Sequence, residues 1–428
     1  MPSEQWTREC RRHLGRSFRV GIVTHAVRVG GIETVIRCLH RHWTAEGAEV
    51  VVVIETGAVG ECGREFRRRG IRVRSVTPRP WTSDVAHSRR LAVDLREFDF
   101  LVLNDARHAQ AAMQMIPDST RAIAVVHSTL PSMIDGALVN ADRLDAVVAV
   151  SPGVRSEIDK RTRSVGVTVV TIPNGVETPC SLESKSAAHG RELRLVFVGR
   201  VLHRDKGCLW LPEIVRRVHD AGFVISLEVV GGGPDLRRLE AMLQEVAPNV
   251  RAILHGNCTP ERAIQRMRAA DVLLLPSVVE GLPMVLLEAM ANGVVAVTSA
   301  LPGQTDAVVE NGVSGYLVDV GDVGGFADVV CGIAGDPGRM LRVRENAWSV
   351  VRSRFSVESM VRGYSELMLG RDRRPGPGHE RRSVAVGALG GVYAYLPPLA
   401  RRIALRIRIG VNSRVEAFRA SGIQKEPA

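Results

Sequence analysis

The chain has 428 residues, 45% of them hydrophobic and 24% charged, with a formal net charge of +11 at pH 7. That length predicts two domains rather than one core, and the composition is that of an ordinary soluble globular protein. Seven scattered cysteines (Cys10, Cys38, Cys62, Cys180, Cys208, Cys258, Cys331) form no C-x-x-C pair, which excludes a disulfide framework or a cysteine zinc site and suits a reducing cytosol.

The opening stretch MPSEQWTRECRRHLGRSFRV lacks the apolar run of a signal peptide, so a cytoplasmic location is expected. Apolar runs of strand length then alternate with amphipathic segments, the pattern of parallel sheets built from β-α-β units. The first half offers strands at FRVGIVTH, AEVVVVIE, FDFLVLND, RAIAVVHS, LDAVVAVS and VTVVTIP. They are rich in valine and isoleucine, as strands covered on both faces should be. A small, polar, aperiodic segment from Ser181 to Glu192 reads as a linker. The second half offers LRLVFVG, VISLEVVG, RAILHG, DVLLLPS, GVVAVTS and GYLVDV, and closes on the helical stretches ENAWSVVRSRF and SVESMVRGYSELML.

The basic character sits at the end. Residues 371–428 hold 12 Lys/Arg against four Asp/Glu, whereas the remainder holds 45 against 42. An uncharged stretch from Ser383 to Ala400 lies between Arg381-Arg382 and Arg401-Arg402, and LRIRI follows. Its glycines and the Pro397-Pro398 pair oppose a spanning helix. A peripheral anchor to an anionic membrane surface and a solvated tail both fit. Aromatics are few there and no recognisable module is present, so nucleic acid is not an expected partner.

The most informative stretch is DVLLLPSVVEGLPMVLLEAMANGVVAV. A buried strand ends near Pro276, a loop carries Glu280 and Gly281, and a helix is expected to start with Pro283 in its first position. The amides of Met284 and Val285 would then be free to bind phosphate oxygens. Glu288 falls in an otherwise apolar helix, where a carboxylate needs a polar reason to be. Two glutamates eight apart could by themselves be a helix cap and a solvated side chain. A second stretch, LRLVFVGRVLHRDKG, places Arg200 after a strand and Lys206 six residues later, a cation pair suited to a diphosphate. A third, THAVRVGGIETVIRCL, opens a helix with Gly30-Gly31, which lets backbone approach a ligand closely. His127 ends RAIAVVHS at the carboxyl end of an expected strand, where open sheets place ligand groups. Ser151, before Pro152, reads as a helix N-cap rather than a nucleophile.

Together these stretches resemble the retaining family-4 glycosyltransferases of the GT-B fold (glycosyl transferases group 1), over roughly residues 18 to 368. The resemblance implies an α/β protein with two Rossmann-like domains facing across a cleft, plus a basic C-terminal extension. The expected organisation is an N-terminal acceptor-side domain (1–180), a linker (181–192), a nucleotide-sugar domain (193–351), a crossover helix (352–370) and a basic tail (371–428). By the same resemblance, Glu280 would hold donor-sugar hydroxyls and Glu288 the ribose, while Arg200 and Lys206 would grip the diphosphate. Gly281, Leu282, Pro283 and Met284 would approach the sugar and diphosphate, with Gly30, Gly31 and His127 facing the donor from the other domain. Transfer from a UDP- or GDP-sugar to a lipid- or glycan-linked acceptor hydroxyl is implied, in cell-surface polysaccharide or glycolipid synthesis. No cofactor is implied. No D-x-D occurs in the chain, so the usual carboxylate seat for a divalent metal at the donor is missing and no metal is expected. The alternatives are a nucleotide-sugar epimerase or sugar phosphorylase on the same fold, and a non-catalytic nucleotide-sugar- or membrane-binding protein.

Overall fold

The computed structural model describes residues 17–25, 30–56, 61–78, 81–162, 166–182 and 192–369. Most of the expected linker and the whole basic tail lie outside the described residues.

The valine-rich runs form two parallel sheets. Strands β1 (Arg19–Thr24), β2 (Glu49–Ile54), β3 (Val73–Ser75), β4 (Phe100–Asn104), β5 (Arg121–Val126), β6 (Ala146–Ala149) and β7 (Val169–Thr171) make the first, in the order β3-β2-β1-β4-β5-β6-β7. Strands β8 (Leu193–Val198), β9 (Ile225–Val230), β10 (Arg251–Gly256), β11 (Val272–Leu275), β12 (Val295–Ser299) and β13 (Tyr316–Val318) make the second, in the order β10-β9-β8-β11-β12-β13. Each strand is hydrogen-bonded in parallel, and helices cover both faces. The continuous apolar runs follow from that burial: every residue of β4 and β11 is buried. Sequence periodicity anticipates twelve of these strands and misses β3, a short edge strand of alternating character, Val-Arg-Ser, with no fully buried residue.

In both sheets the chain order reverses beside the first strand of the domain. β1 lies between β2 and β4, and β8 lies between β9 and β11. A crevice opens at the carboxyl ends of strands at such a reversal, and the two domains bring these edges together. Helix Gly31–Ala45 follows β1 and helix Met284–Ala291 follows β11. A Cβ on Gly31 would stand 2.7 Å from the Met284 side chain, so the amino ends of the two helices meet.

The chain then crosses back. After helix Pro337–Arg354, helix Val357–Leu369 lies on the N-terminal domain, where Trp43 donates its indole N–H to Ser365 Oγ at 3.1 Å. Arg121, at the start of β5, donates to the carbonyls of Leu367 and Met368 at 3.0 and 2.6 Å. The Asn174-Gly175 pair is no ordinary turn: a Cβ on Gly175 would fall 2.4 Å from the Ser356 carbonyl oxygen, so glycine is needed for the two segments to touch. Ser151 caps helix Pro152–Thr162, its hydroxyl accepting from the Val154 N–H at 3.2 Å.

Candidate active site

The loops after β8 and β11 are held together by backbone before any side chain acts. After β8, Gly199 leads to Arg200 and then to the single-turn helix His203–Lys206. The Asp205 carbonyl accepts from the N–H groups of Val278 and Val279 at 2.9 and 3.2 Å, stapling that turn to the loop after β11. Gly207 ends the turn in the left-handed region (φ +60°), and a Cβ there would stand 2.0 Å from the Pro276 carbonyl oxygen. Glycine alone satisfies both constraints.

This staple sets Lys206 against Glu280. Lys206 Nζ donates to Glu280 Oε1 at 2.5 Å, and Ser277 Oγ donates to the same oxygen at 2.7 Å. Glu280 is only 7% exposed, and its N–H is held by Gln304 Oε1 at 3.2 Å. The two residues expected to act on different parts of a ligand, cation on diphosphate and carboxylate on sugar, thus form one ion pair, the carboxylate buried and the ammonium partly so. Arg200 is not part of it; its side chain is exposed and has no hydrogen-bond or ion-pair partner among the described residues. The expected Arg200–Lys206 cation pair is therefore arranged as one free cation and one neutralised one.

The loop then meets the opposite domain. A Cβ on Gly281 would lie 2.0 Å from the His127 carbonyl oxygen, and Thr129 Oγ1 donates to the Glu280 carbonyl at 3.3 Å. Asn174 Nδ2 donates to the Leu282 carbonyl at 3.4 Å. Leu282 and Met284 are buried at this junction. Pro283 is the N-cap of helix Met284–Ala291, with φ −70° and ψ 111°, rather than its first helical residue. The difference is one position, and it leaves the Met284 and Val285 amides as the first two of the helix, which no intrahelical carbonyl can reach.

Glu288, on the same helix, is half-buried. Burial pushes its carboxyl up to about 7, against the opposing pull of Arg37 on helix Gly31–Ala45. Gly30 is exposed in extended backbone ahead of that helix, with open space where a Cβ would be. His127 follows β5, its Nε2 within 2.9 Å of Asn104 Oδ1. Burial lowers its pKa to about 4, so the imidazole is neutral at physiological pH, with the Nε2–H donating to Asn104. Asn104, Ser277 and Gln304 escape the sequence reading. Asn104 ends an expected strand and could have been found by that position, whereas Ser277 has only its polar character after an apolar run and Gln304 has no local signal.

Two switched parallel sheets closing their carboxyl edges on one cleft, with helix amino ends and a lysine–glutamate pair between them, define the GT-B class of glycosyltransferase. Residues 29–179 match the family described as Glycosyltransferase Family 4, and residues 192–336 match Glycosyl transferases group 1. The chain belongs to these GT-B glycosyltransferases. It is 28% identical over 230 residues to a D-inositol 3-phosphate glycosyltransferase of Xylanimonas cellulosilytica, covering 54% of this chain and 52% of that one. It is 27% identical over 189 residues to the lipopolysaccharide 1,6-galactosyltransferase of Escherichia coli, covering 44% and 51%. The chain thus spans about half the length of these curated relatives. Among solved structures, HepE of Anabaena in complex with UDP and glucose superposes with a TM-score of 0.69 at 17% identity, over 82% of this chain and 99% of that one.

Among the described residues, no helix is long and apolar enough to cross a membrane.

Proposed function

We propose that the chain transfers a hexosyl or N-acetylhexosaminyl group from a nucleoside diphosphate sugar, UDP before GDP, to an acceptor hydroxyl with retention of anomeric configuration. The observation that carries this reading is the part-buried Lys206–Glu280 pair, beside a loop between a helix amino end and the backbone of His127. An incoming donor would separate the pair: the ammonium turns to the diphosphate, and the carboxylate is released to accept hydrogen bonds from sugar hydroxyls. Arg200 and the amides of Met284 and Val285 add positive potential where the leaving diphosphate gathers charge, the work a metal does elsewhere. His127 is neutral and tied to Asn104, so it acts as a fixed polar group beside the sugar rather than as an acid. Front-face substitution, in which the departing phosphate helps deprotonate the acceptor, needs no protein nucleophile. UDP-bound neighbours of the same fold support the choice of base, and a cell-surface polysaccharide or glycolipid is the acceptor class we favour.

The test is a thermal-shift screen of nucleotide sugars followed by transfer assays on two variants. Glu280→Ala should lower transfer about 10–100-fold while largely sparing affinity for the free nucleoside diphosphate, because a lost hydrogen bond to a charged group costs roughly 1.5–3 kcal/mol. Glu288→Ala should weaken both. Equal nucleotide affinity in wild type and Glu288→Ala would remove Glu288 from the ribose.

The basic stretch beyond residue 370 is proposed as a peripheral anchor at the inner face of the membrane, because each basic residue near an anionic surface is worth about 1 kcal/mol. Full-length chain should sediment with anionic but not neutral vesicles, and a chain ending at Gly370 with neither. Equal recovery of both forms in the supernatant at low salt refutes the anchor.

A further inference from the structure

Outside the donor site, the largest concentration of chemistry lies at the carboxyl edge of the N-terminal sheet. His25 follows β1, Glu55 follows β2, and His108 stands in helix Arg107–Ala112, which follows β4. These are the three strands around the chain reversal, so all three side chains converge on the crevice that the topology opens there. Asp84 and His87, from helix Asp84–Leu95, close the cluster from behind.

Glu55 is the centre. It is fully buried, and its Oε2 accepts from the N–H groups of His108 and Ala109 at 3.1 and 2.9 Å. Its Oε1 lies 3.2 Å from Nδ1 of His25 and 3.2 Å from Nδ1 of His108. The two imidazole rings stack nearly parallel, at 6° with centroids 6.3 Å apart. One ligand atom from each of the three residues lies within 4.8 Å of both others. Metal–ligand bonds of about 2.0–2.1 Å in a tetrahedron put neighbouring ligand atoms roughly 3.3 Å apart, close to the two nitrogen–oxygen separations found here.

His108 makes the case sharper. Its Nδ1 faces Glu55, and its Nε2 lies 3.5 Å from Asp84 Oδ1, so both ring nitrogens of a buried imidazole face carboxylate oxygens. A neutral ring would turn one lone pair on an oxygen lone pair. Either a second proton or a cation on Nδ1 relieves this. With a cation on Nδ1, the Nε2–H faces Asp84 in the carboxylate–histidine–metal arrangement that fixes ligand orientation. Glu55 already has the matching support, its second oxygen being held by two amides. His87 stands edge-on to His108 at 5.0 Å, and its buried Nδ1 has no hydrogen-bond partner among the described residues. The His25 side chain is 33% exposed, which leaves an entry path and an outward coordination position.

We propose that His25, Glu55 and His108 bind one divalent transition cation, of the zinc class, with Asp84 orienting His108. Two imidazoles and one carboxylate suit zinc and its neighbours rather than magnesium or calcium, which prefer oxygen. Three protein ligands leave the outward position for water or an oxygen of a ligand entering the acceptor-side domain. The site is separate from the Lys206–Glu280 pair.

The test uses the untagged full chain, stripped with EDTA and titrated with Co2+ and then Zn2+. One Co2+ per chain should bind with visible d–d absorption, and Zn2+ should displace it. His25→Ala and His108→Ala should abolish the absorption, and Asp84→Asn should weaken binding about 10–100-fold, as removal of an orienting carboxylate does. His255→Ala, whose imidazole pairs with Glu228 in the second sheet, should bind the cation like wild type. If His108→Ala does not fold, His25→Ala decides, since that side chain is partly exposed. Absence of stoichiometric Co2+ or Zn2+ binding, or binding unaltered by His25→Ala, overturns the proposal and leaves an imidazolium between Glu55 and Asp84. Nucleoside diphosphate affinity should be the same before and after stripping; its loss would put the cation on the donor side and equally overturn the assignment. None of these readings depends on transfer activity, so the metal proposal and the transfer proposal fail independently.

Discussion

The two halves of the cleft concentrate charge in different ways. In the second domain, the pairing of Lys206 with Glu280 is imposed by a short backbone staple in which Gly207 has no substitute. In the first domain, Glu55 gathers His25 and His108 from beyond three strands that are neighbours only because the sheet reverses its order there. The Lys206–Glu280 pair is a single ion pair, joined only by the Ser277 hydroxyl on the same carboxylate oxygen. The Glu55 cluster joins several groups around one carboxylate, and it has no single contact to release. A polar pair poised to exchange partners suits turnover, whereas a largely buried network around one carboxylate suits rigid positioning.

The largest effect that can break this comparison is a double-mutant cycle on the donor side. Lys206→Ala and Glu280→Ala should each reduce transfer about 10–100-fold. The double variant should lose more than the two single losses combined, because each single variant is spared the cost of parting the pair that the wild type meets. Strict additivity, measured by steady-state transfer, would show that the pair is incidental to function.

A smaller, graded effect comes from Glu288. Burial raises its carboxyl from 4.5 to about 7, so the folded state holds a proton that the unfolded chain has lost between those values. The contribution of this group to stability is therefore fully present below about pH 4.5, falls as pH rises to about 7, and is flat above. Nucleotide affinity should move the opposite way: the ionised form is the better acceptor for ribose hydroxyls, so the dissociation constant for UDP should tighten as pH rises through 7. Calorimetry of wild type against Glu288→Gln checks this, and an identical pH profile in the two would detach the effect from Glu288.

Much of the donor side was legible in the sequence because its parts are local. Strand, loop and helix follow one another within residues 272–291, so a carboxylate in an apolar helix and a glycine after a loop glutamate can be noticed without a fold. The sequence also suggested that Lys206 and Arg200 act as a pair of cations, and here it could not foresee that Glu280, 74 positions from Lys206, would take one of them. Pro283 moved by one position for a related reason: a proline suits either side of a helix start, and the contacts of its neighbours choose between them.

What the sequence by itself determined is the class of architecture. Runs such as VVVVI and VLLL can be satisfied only as strands covered on both faces, and parallel strands covered by helices admit few arrangements. What only the tertiary structure decided is which polar groups share a site. Glu55, His87 and His108 carry no signature in their own segments, being single polar residues at strand ends or on helices, and 30 and 53 residues separate Glu55 from the two imidazoles on its Oε1, His25 and His108. Strand order brings them together, and strand order is settled by packing over the whole domain rather than by any local run of residues.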